Sequence, residues 1–414
     1  MFDHIEAIRD QFPALALAGA HGPRIYLDNP AGTQVPSHVI GRTTECMIKT
    51  NANHDGFFET SKAADQVVAD GHAAMADLLG ANSGDEIIFG QNMTSLTFHI
   101  SRSLGRLFSP GDEIVLTRMD HDANVAPWKM LADDLGLTVK WLDFNPDTFE
   151  FDVDALDDLL GPRTRLVAFG YASNLTGTIN DVKAITRKAK AAGALTFIDA
   201  VQYAPHGLID VRDVGCDMLA CSPYKFFGPH QGVLWGRADL LAELTAYKVR
   251  PASNQAPGKF ETGTLSHEGI AGTLGAVEYL EWYAVLAGAT VATRRDAIWA
   301  AFDAMKGYEQ TLTLQLIEGL EAIPGTTIQG ITDRARMDWR VPTVSFTHGS
   351  RTPDEIARHL AANDIFVWSG NNYALEVTTR LGLEETGGVV RIGMAHYNTP
   401  AEIERTLAVL RDFL

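Results

Sequence analysis

Between about residue 86 and residue 236, apolar positions gather into short β-prone runs: EIIF, EIVLT, LTVKWL, RLVAFGY, LTFIDA, DMLACS and GVLWG. Helical patterns alternate with them, and NVAPWKMLADDLG and DVKAITRKAKAAG each close on a glycine. This alternation predicts an α/β core, a mainly parallel seven-stranded sheet with crossover helices. The stretch RPASNQAPGKFETGTLSHEG breaks the pattern, and a long helical pattern follows through LGAVEYLEWYAVL and beyond Arg294. Helical and strand patterns then mix from about residue 310 (TLTLQLIEGLEAI, TVSFTH, PDEIARHLAANDI, VVRIGMAHYN, PAEIERTLAVLRDFL), as in a smaller α+β domain. The expected division is a large domain over 31–274 and a small C-terminal domain over 275–414, with the N-terminal segment 1–30 packing against the small domain.

Composition narrows this picture. The chain has 414 residues, 46% of them hydrophobic, which is enough to bury a large core. A net charge of -18 offers no basic stripe for phosphates, so a nucleic-acid partner is not expected. Cys46, Cys216 and Cys221 show neither disulfide nor zinc spacing, which suits a reducing, cytoplasmic compartment. The acidic, amphipathic N-terminus does not read as a signal peptide. Glu278 and Glu281 interrupt the apolar stretch after Gly269, so no membrane span is expected. No metal site is expected either, and neither GxGxxG nor GxxxxGK[ST] occurs after a strand.

Ligands of parallel sheets bind beyond the carboxyl ends of the strands, so polar residues just past each run are the candidates for chemistry. In order these are GQNMTS, RMDHDAN, ASNLTGT, DAVQ and SPYK. Singly, each has an ordinary structural explanation: His121 as a helix cap, Asn174 as a turn former, Arg391 as a surface ion-pair partner. Together they offer an amine for a Schiff base, a carboxylate for a protonated ring nitrogen, and hydroxyls with backbone amides for a phosphate. Pyridoxal 5'-phosphate needs all of these. Lys225 and Asp199 then address opposite ends of one aromatic ring.

YLDNPAGTQVP, MDHDANVAPW, ASNLTGT, DAVQ, SPYKFFGPHQG, KFETGT and VRIGMAHYNT resemble the successive motifs of class V aminotransferases, in their cysteine desulfurase-like branch. The resemblance implies a fold type I pyridoxal-phosphate enzyme with Lys225 as the Schiff-base lysine, Asp199 on the ring nitrogen, His121 stacked on the ring and Gln202 on the phenolic oxygen. It places Met93, Thr94 and Ser222 at the cofactor, with the phosphate at a helix N-terminus. Tyr224 stands where many desulfurases have histidine, and its hydroxyl could still reach the phosphate. Thr264 resembles a residue that serves the neighbouring subunit, which implies a homodimer with shared active sites. Asn174 and Arg391 resemble substrate-side residues, Arg391 gripping a carboxylate. His99, His206 and His396 fall outside these motifs and read as structural.

One position departs from the branch. In VWSGNNYALE, Tyr373 stands where a desulfurase carries its persulfide cysteine, and a phenol cannot hold a persulfide. Cys216 and Cys221 read as strand residues and do not compensate. The expected reaction is lyase-type β-elimination on a small amino acid, C–S cleavage included, with Tyr373 closing the pocket. Transamination and epimerisation remain alternatives within the same chemistry, and a non-catalytic cofactor-binding scaffold is the alternative outside it.

Overall fold

The structure, a computed structural model, describes residues 4–414. Each apolar run forms a strand of one sheet: β1 (Ile87–Gly90), β2 (Glu113–Thr117), β3 (Thr138–Leu142), β4 (Thr164–Gly170), β5 (Leu195–Asp199), β6 (Met218–Cys221) and β7 (Gly232–Gly236). Their order is β1-β7-β6-β5-β4-β2-β3, and β7 alone runs antiparallel to its neighbours. The central runs are mostly apolar because both faces are covered, whereas the edge strand β3 keeps Thr138 exposed and Lys140 half-buried. Val115, Val167, Ile198, Leu219 and Val233 pack on one side, and Ile114, Leu116, Ala168, Phe197 and Leu234 on the other. Each large aliphatic side chain buried this way contributes about 1.5–3 kcal/mol, so a polar residue in place of any one of them would cost stability of that order or more.

The main helices are α1 (Ser37–Lys49), α2 (Glu59–Leu79), α3 (Met93–Gly105), α4 (Ala126–Leu135), α5 (Val182–Ala191), α6 (His267–Leu286), α7 (Arg294–Glu321), α8 (Pro353–Ala362) and α9 (Pro400–Phe413). α6 is apolar nearly all round because it is sandwiched by α1, α2 and α7. At Gly275 a Cβ would lie 2.8 Å from the His38 carbonyl, so glycine lets α1 and α6 touch backbone to backbone. α6 therefore runs unbroken through residue 275. α7 links the two halves: Ile298, Phe302 and Met305 belong to the large core, whereas Leu312, Leu316 and Leu320 belong to the small one.

The small half is an antiparallel sheet of β8 (Thr326–Ile328), β9 (Thr343–His348), β10 (Trp368–Gly370) and β11 (Val389–Gly393), in the order β8-β9-β11-β10. Capping boxes at Thr352/Glu355 and Thr399/Glu402 start α8 and α9. The N-terminal segment serves both halves. Residues 25 and 26 pair with 365 and 366, while Ile8 and Phe12 insert into the large core.

Strand register sets the site. Gly170 lies opposite Asp199, and Asp199 opposite Ala220, so β4, β5 and β6 end side by side. The segments that follow them open at one edge. No helix among the described residues is long and apolar enough to cross a membrane.

Candidate active site

At that edge lies a crevice with about 550 Å³ of empty space, the open solvent at its mouth included. Met93, Thr94, His121, Asn174, Asp199, Gln202, Ser222, Tyr224 and Lys225 all line it. Nine positions spread over more than a hundred residues thus meet around one space. Arg391 is buried beside it, Tyr373 sits on its rim, and Thr264 lies apart, in a surface groove with Leu265 and Ser95.

Asp199 is the last residue of β5, and Val201 N–H donates to its Oδ1 at 2.9 Å. Burial raises its carboxyl to about 6, against that hydrogen bond and the positive charge of Lys225. Lys225 ends the short turn 223–225 after β6, and its Nζ donates to the Pro30 carbonyl. Burial first, then the charge of Arg391, lowers this amine to about 7. A large share of it is therefore unprotonated and nucleophilic near neutral pH.

His121 caps a turn and also lines the crevice. Its Nδ1 accepts from Ala123 N–H at 3.0 Å, capping the turn 122–124, and its ring faces the crevice. Burial, with the charges of Lys225 and Arg391, lowers it to about 4, so the imidazole is neutral and its proton is left to Nε2. The Tyr373 ring stacks on it with centroids 5.3 Å apart and planes 19° off parallel.

Asn92 caps α3, accepting from Ser95 N–H at 2.8 Å, and Asn92, Met93 and Thr94 at this helix N-terminus line the crevice together with Ser222. Gln202 Nε2 donates to Thr343 Oγ1 at 2.9 Å. Tyr224 stacks on His230 with centroids 5.0 Å apart. Arg391 is no surface residue: on the central strand β11 it is buried, its Nη1 donating to the Asn174 carbonyl at 3.2 Å. Asn174 Nδ2 donates to the Asn372 carbonyl at 2.7 Å, and its buried Oδ1 has no partner among the described residues.

Three contributors escaped the sequence reading. Asp28 and Pro30, in the turn within YLDNPAG, contact Arg391 and Lys225. Asp120, next to His121, lines the crevice and takes hydrogen bonds from Thr117 and from Asn124 Nδ2 (2.9 Å). Burial and the neighbouring Asp199 raise it to about 8, so it holds a proton at neutral pH and leaves Asp199 the ionised partner. Gly170 makes room for it, since a Cβ there would lie 3.0 Å from Asp120 Oδ1.

The outer histidines are structural. His206 pairs with Glu309 at 2.9 Å inside the core, and His396 meets the Tyr279 hydroxyl at 2.6 Å. His99 lies near the Tyr247 carbonyl at 3.1 Å.

These residues fit pyridoxal 5'-phosphate. A desolvated amine and a buried carboxyl share one crevice, an anion cradle stands at a helix N-terminus, and Asn174 presents an unused buried acceptor. The fold and the crevice together define a pyridoxal-phosphate-dependent enzyme of fold type I.

Comparison with known proteins gives the family. The model of class V aminotransferases matches residues 25–406. A cysteine desulfurase of Pectobacterium atrosepticum is 32% identical, covering 98% of this chain and 97% of its own length. One from Yersinia pestis is 30% identical over the same shares. Among solved structures, the apo cysteine desulfurase of Thermococcus onnurineus NA1 superposes with a TM-score of 0.86 at 26% identity, covering 98% of this chain and 97% of that one. A cysteine desulfurase of Escherichia coli gives 0.83 at 25%, covering 99% and 98%. The chain belongs to the class V aminotransferase family, in its cysteine desulfurase-like branch, whose members use pyridoxal 5'-phosphate.

Proposed function

We propose that the protein is a lyase that acts at the amino group of a small amino acid and cleaves a bond at its β-carbon, a C–S bond first among the candidates. The observation that carries this reading is Lys225, a desolvated amine lowered to about 7 in the same crevice as Asp199. When bound, pyridoxal 5'-phosphate supplies an aldehyde for amine exchange and a protonated ring that accepts the electrons left at the α-carbon. Lys225 Nζ would remove the α-proton, the β-substituent would depart with the electron pair of its broken bond to the β-carbon, and the proton held on Nζ would pass to that departing group. Asp199 would keep the ring nitrogen protonated, His121 would stack on the ring, and Gln202 would offer its amide to the phenolic oxygen. Met93, Thr94, Ser222 and Tyr224 would hold the phosphate end, while Arg391 and Asn174 would orient the substrate carboxylate.

Tyr373 directs this reading away from sulfur carriage. Asn372 and Tyr373 have φ of 53° and 59°, a left-handed conformation that costs a non-glycine residue about 1–3 kcal/mol. Bonds from Asp122 N–H to the Tyr373 carbonyl and from Asn174 Nδ2 to the Asn372 carbonyl, both 2.7 Å, support it. A pinned loop bearing a phenol suits closure of a pocket better than transfer of a persulfide.

The reading includes a homodimer in which Thr264 serves the partner's phosphate site. Its support is the distance of Thr264 from its own crevice and the exposed apolar residues Met47, Ile48, Phe57 and Phe58. A cytoplasmic setting suits the three buried, unpaired cysteines. The deciding experiment is a product screen by mass spectrometry with L-cysteine and other small amino acids. Pyruvate, ammonia and the released β-substituent are expected. Alanine with sulfide, the amine form of the cofactor, or the opposite enantiomer would each replace this reaction by another, and no turnover of any kind would leave only the scaffold.

A further inference from the structure

The side-on edge of a guanidinium, Nε with Nη2, grips a carboxylate with two parallel hydrogen bonds of about 2.7–2.9 Å. In Arg391 that edge is half filled. Asp28 Oδ1 approaches Nη2 at 3.4 Å, a long single contact, while the buried Nε has no partner among the described residues. Nη1 is committed elsewhere, to the Asn174 carbonyl. A buried arginine with such a poorly used edge has room for a better carboxylate.

Asp28 is held at this edge by its backbone. It pairs with Gly393 two residues beyond Arg391, and its carbonyl accepts from Ala31 N–H at 3.0 Å, closing the turn whose Pro30 carbonyl takes the Lys225 amine. The charged groups acting on Asp28 are Arg391 from β11 and Lys225 from the 223–225 turn; those acting on Arg391 are Asp28 and Tyr224. Burial nevertheless raises the Asp28 carboxyl above its usual range, outweighing both cations.

We propose that Asp28 is a positioning residue: it occupies the carboxylate-binding edge of Arg391 in the free protein and yields it, taking up one proton, when a substrate carboxylate arrives. Two carboxylates facing one guanidinium leave one negative charge in excess, and protonating Asp28 removes it. The only bond made is O–H, with the proton coming from solvent. Carboxylate affinity therefore falls with rising pH, by up to about tenfold per unit, between the Asp28 pKa of the free and of the occupied protein. This rests on the reading of Arg391 as the substrate-carboxylate residue.

The test uses the holoenzyme and propionate, a carboxylate that lacks the reacting amine. Its Kd is titrated through the visible absorption of the bound cofactor from about pH 5 to about pH 9. In the wild type log Kd should climb with pH. Asp28→Asn should flatten the climb and bind propionate about tenfold or more tightly at the alkaline end. The same slope in Asp28→Asn would assign the proton to Lys225 and overturn the proposal, as would uniformly weaker binding at every pH, the mark of a merely structural anchor. A flat wild-type profile overturns it even if no variant folds. Unimpaired binding in Arg391→Gln would instead remove Arg391 from the carboxylate, a failure of the underlying reading that the other arms do not produce.

Discussion

Asp199 and Lys225 reach the crevice from neighbouring strands of one sheet, whereas Arg391, Asn174, Asp28 and Tyr373 meet only where the two halves of the chain close on each other. The floor is fixed by hydrogen-bond register: once Asp199 lies opposite Ala220, the turn carrying Lys225 has one place to go. The wall depends on contacts between segments far apart in sequence, such as Arg391 with the Asn174 carbonyl, and these contain long or unfilled bonds. A floor held by backbone and a wall held by side chains should respond differently to substitution. Changes in the floor should cost orders of magnitude in chemistry, and changes in the wall should alter binding and its pH dependence.

The largest expected effect is therefore on the floor. Lys225→Ala should remove the visible band of the bound cofactor and lower α-proton exchange into deuterated solvent by at least about 10³-fold. Retention of both would show that another group holds the cofactor. Asp199→Asn should keep the band and lose about 10²–10³-fold in turnover, because an amide cannot keep the ring nitrogen protonated.

Without cofactor the same change should act in the opposite sense. The carboxyl of Asp199 is raised from 3.8 to about 6, so the folded protein binds more protons than the unfolded chain between those values and loses stability as pH rises through them. At neutral pH this amounts to roughly 3 kcal/mol, which the neutral amide avoids. Asp199→Asn apoprotein should accordingly unfold at higher denaturant than wild type at pH 7, with the advantage gone near pH 4. Equal stability at both pH values would mean that the carboxyl is not desolvated.

The same contrast explains what the sequence made legible. The seven runs, their breaks and the residues just past them carried the floor, because a buried parallel sheet writes itself as short apolar segments and places its chemistry at their carboxyl ends. The reversed direction of β7 was not legible, since GVLWG reads the same either way. Asp28 and Pro30 precede every strand of the large sheet and reach the site through long-range contacts, the bridge to Gly393 and the bond from Thr33 N–H to the Tyr224 carbonyl among them. Asp120 was masked by the more conspicuous His121 beside it. The Pro/Gly-rich stretch 250–269 leads into α6, and position 275, expected to begin the small domain, lies within that helix, which is apolar nearly all round because other helices cover it.

Thr264 extends the comparison across two copies of the chain. Thr264→Ala should weaken cofactor binding about tenfold, the loss of one hydrogen bond to a charged group, with little change in turnover at saturating cofactor. Mixing Lys225→Ala subunits with Thr264→Ala subunits should restore one intact site per heterodimer, measured as recovered cofactor affinity and exchange. No recovery on mixing would place Thr264 in service of its own subunit.

The smallest effect, and the one that divides two roles for the wall, belongs to Tyr373. Its ring stacks on His121 and is 72% exposed, with its backbone rather than its hydroxyl tying the loop down. If closure is its work, the ring matters and the oxygen does not. Tyr373→Phe should then stay within about threefold of wild type in kcat and KM, whereas removal of a general acid would cost about 10²-fold or more in kcat. Tyr373→Cys sharpens the point, since it supplies the thiol that a desulfurase needs at this position. Because the loop is pinned at Asn372 and Tyr373, the variant should still release its sulfur without a protein-bound persulfide, as read by thiol labelling of the intact chain. A persulfide at residue 373 would show that the loop moves as freely as a sulfur carrier requires, and that the wall differs from a desulfurase by one side chain alone.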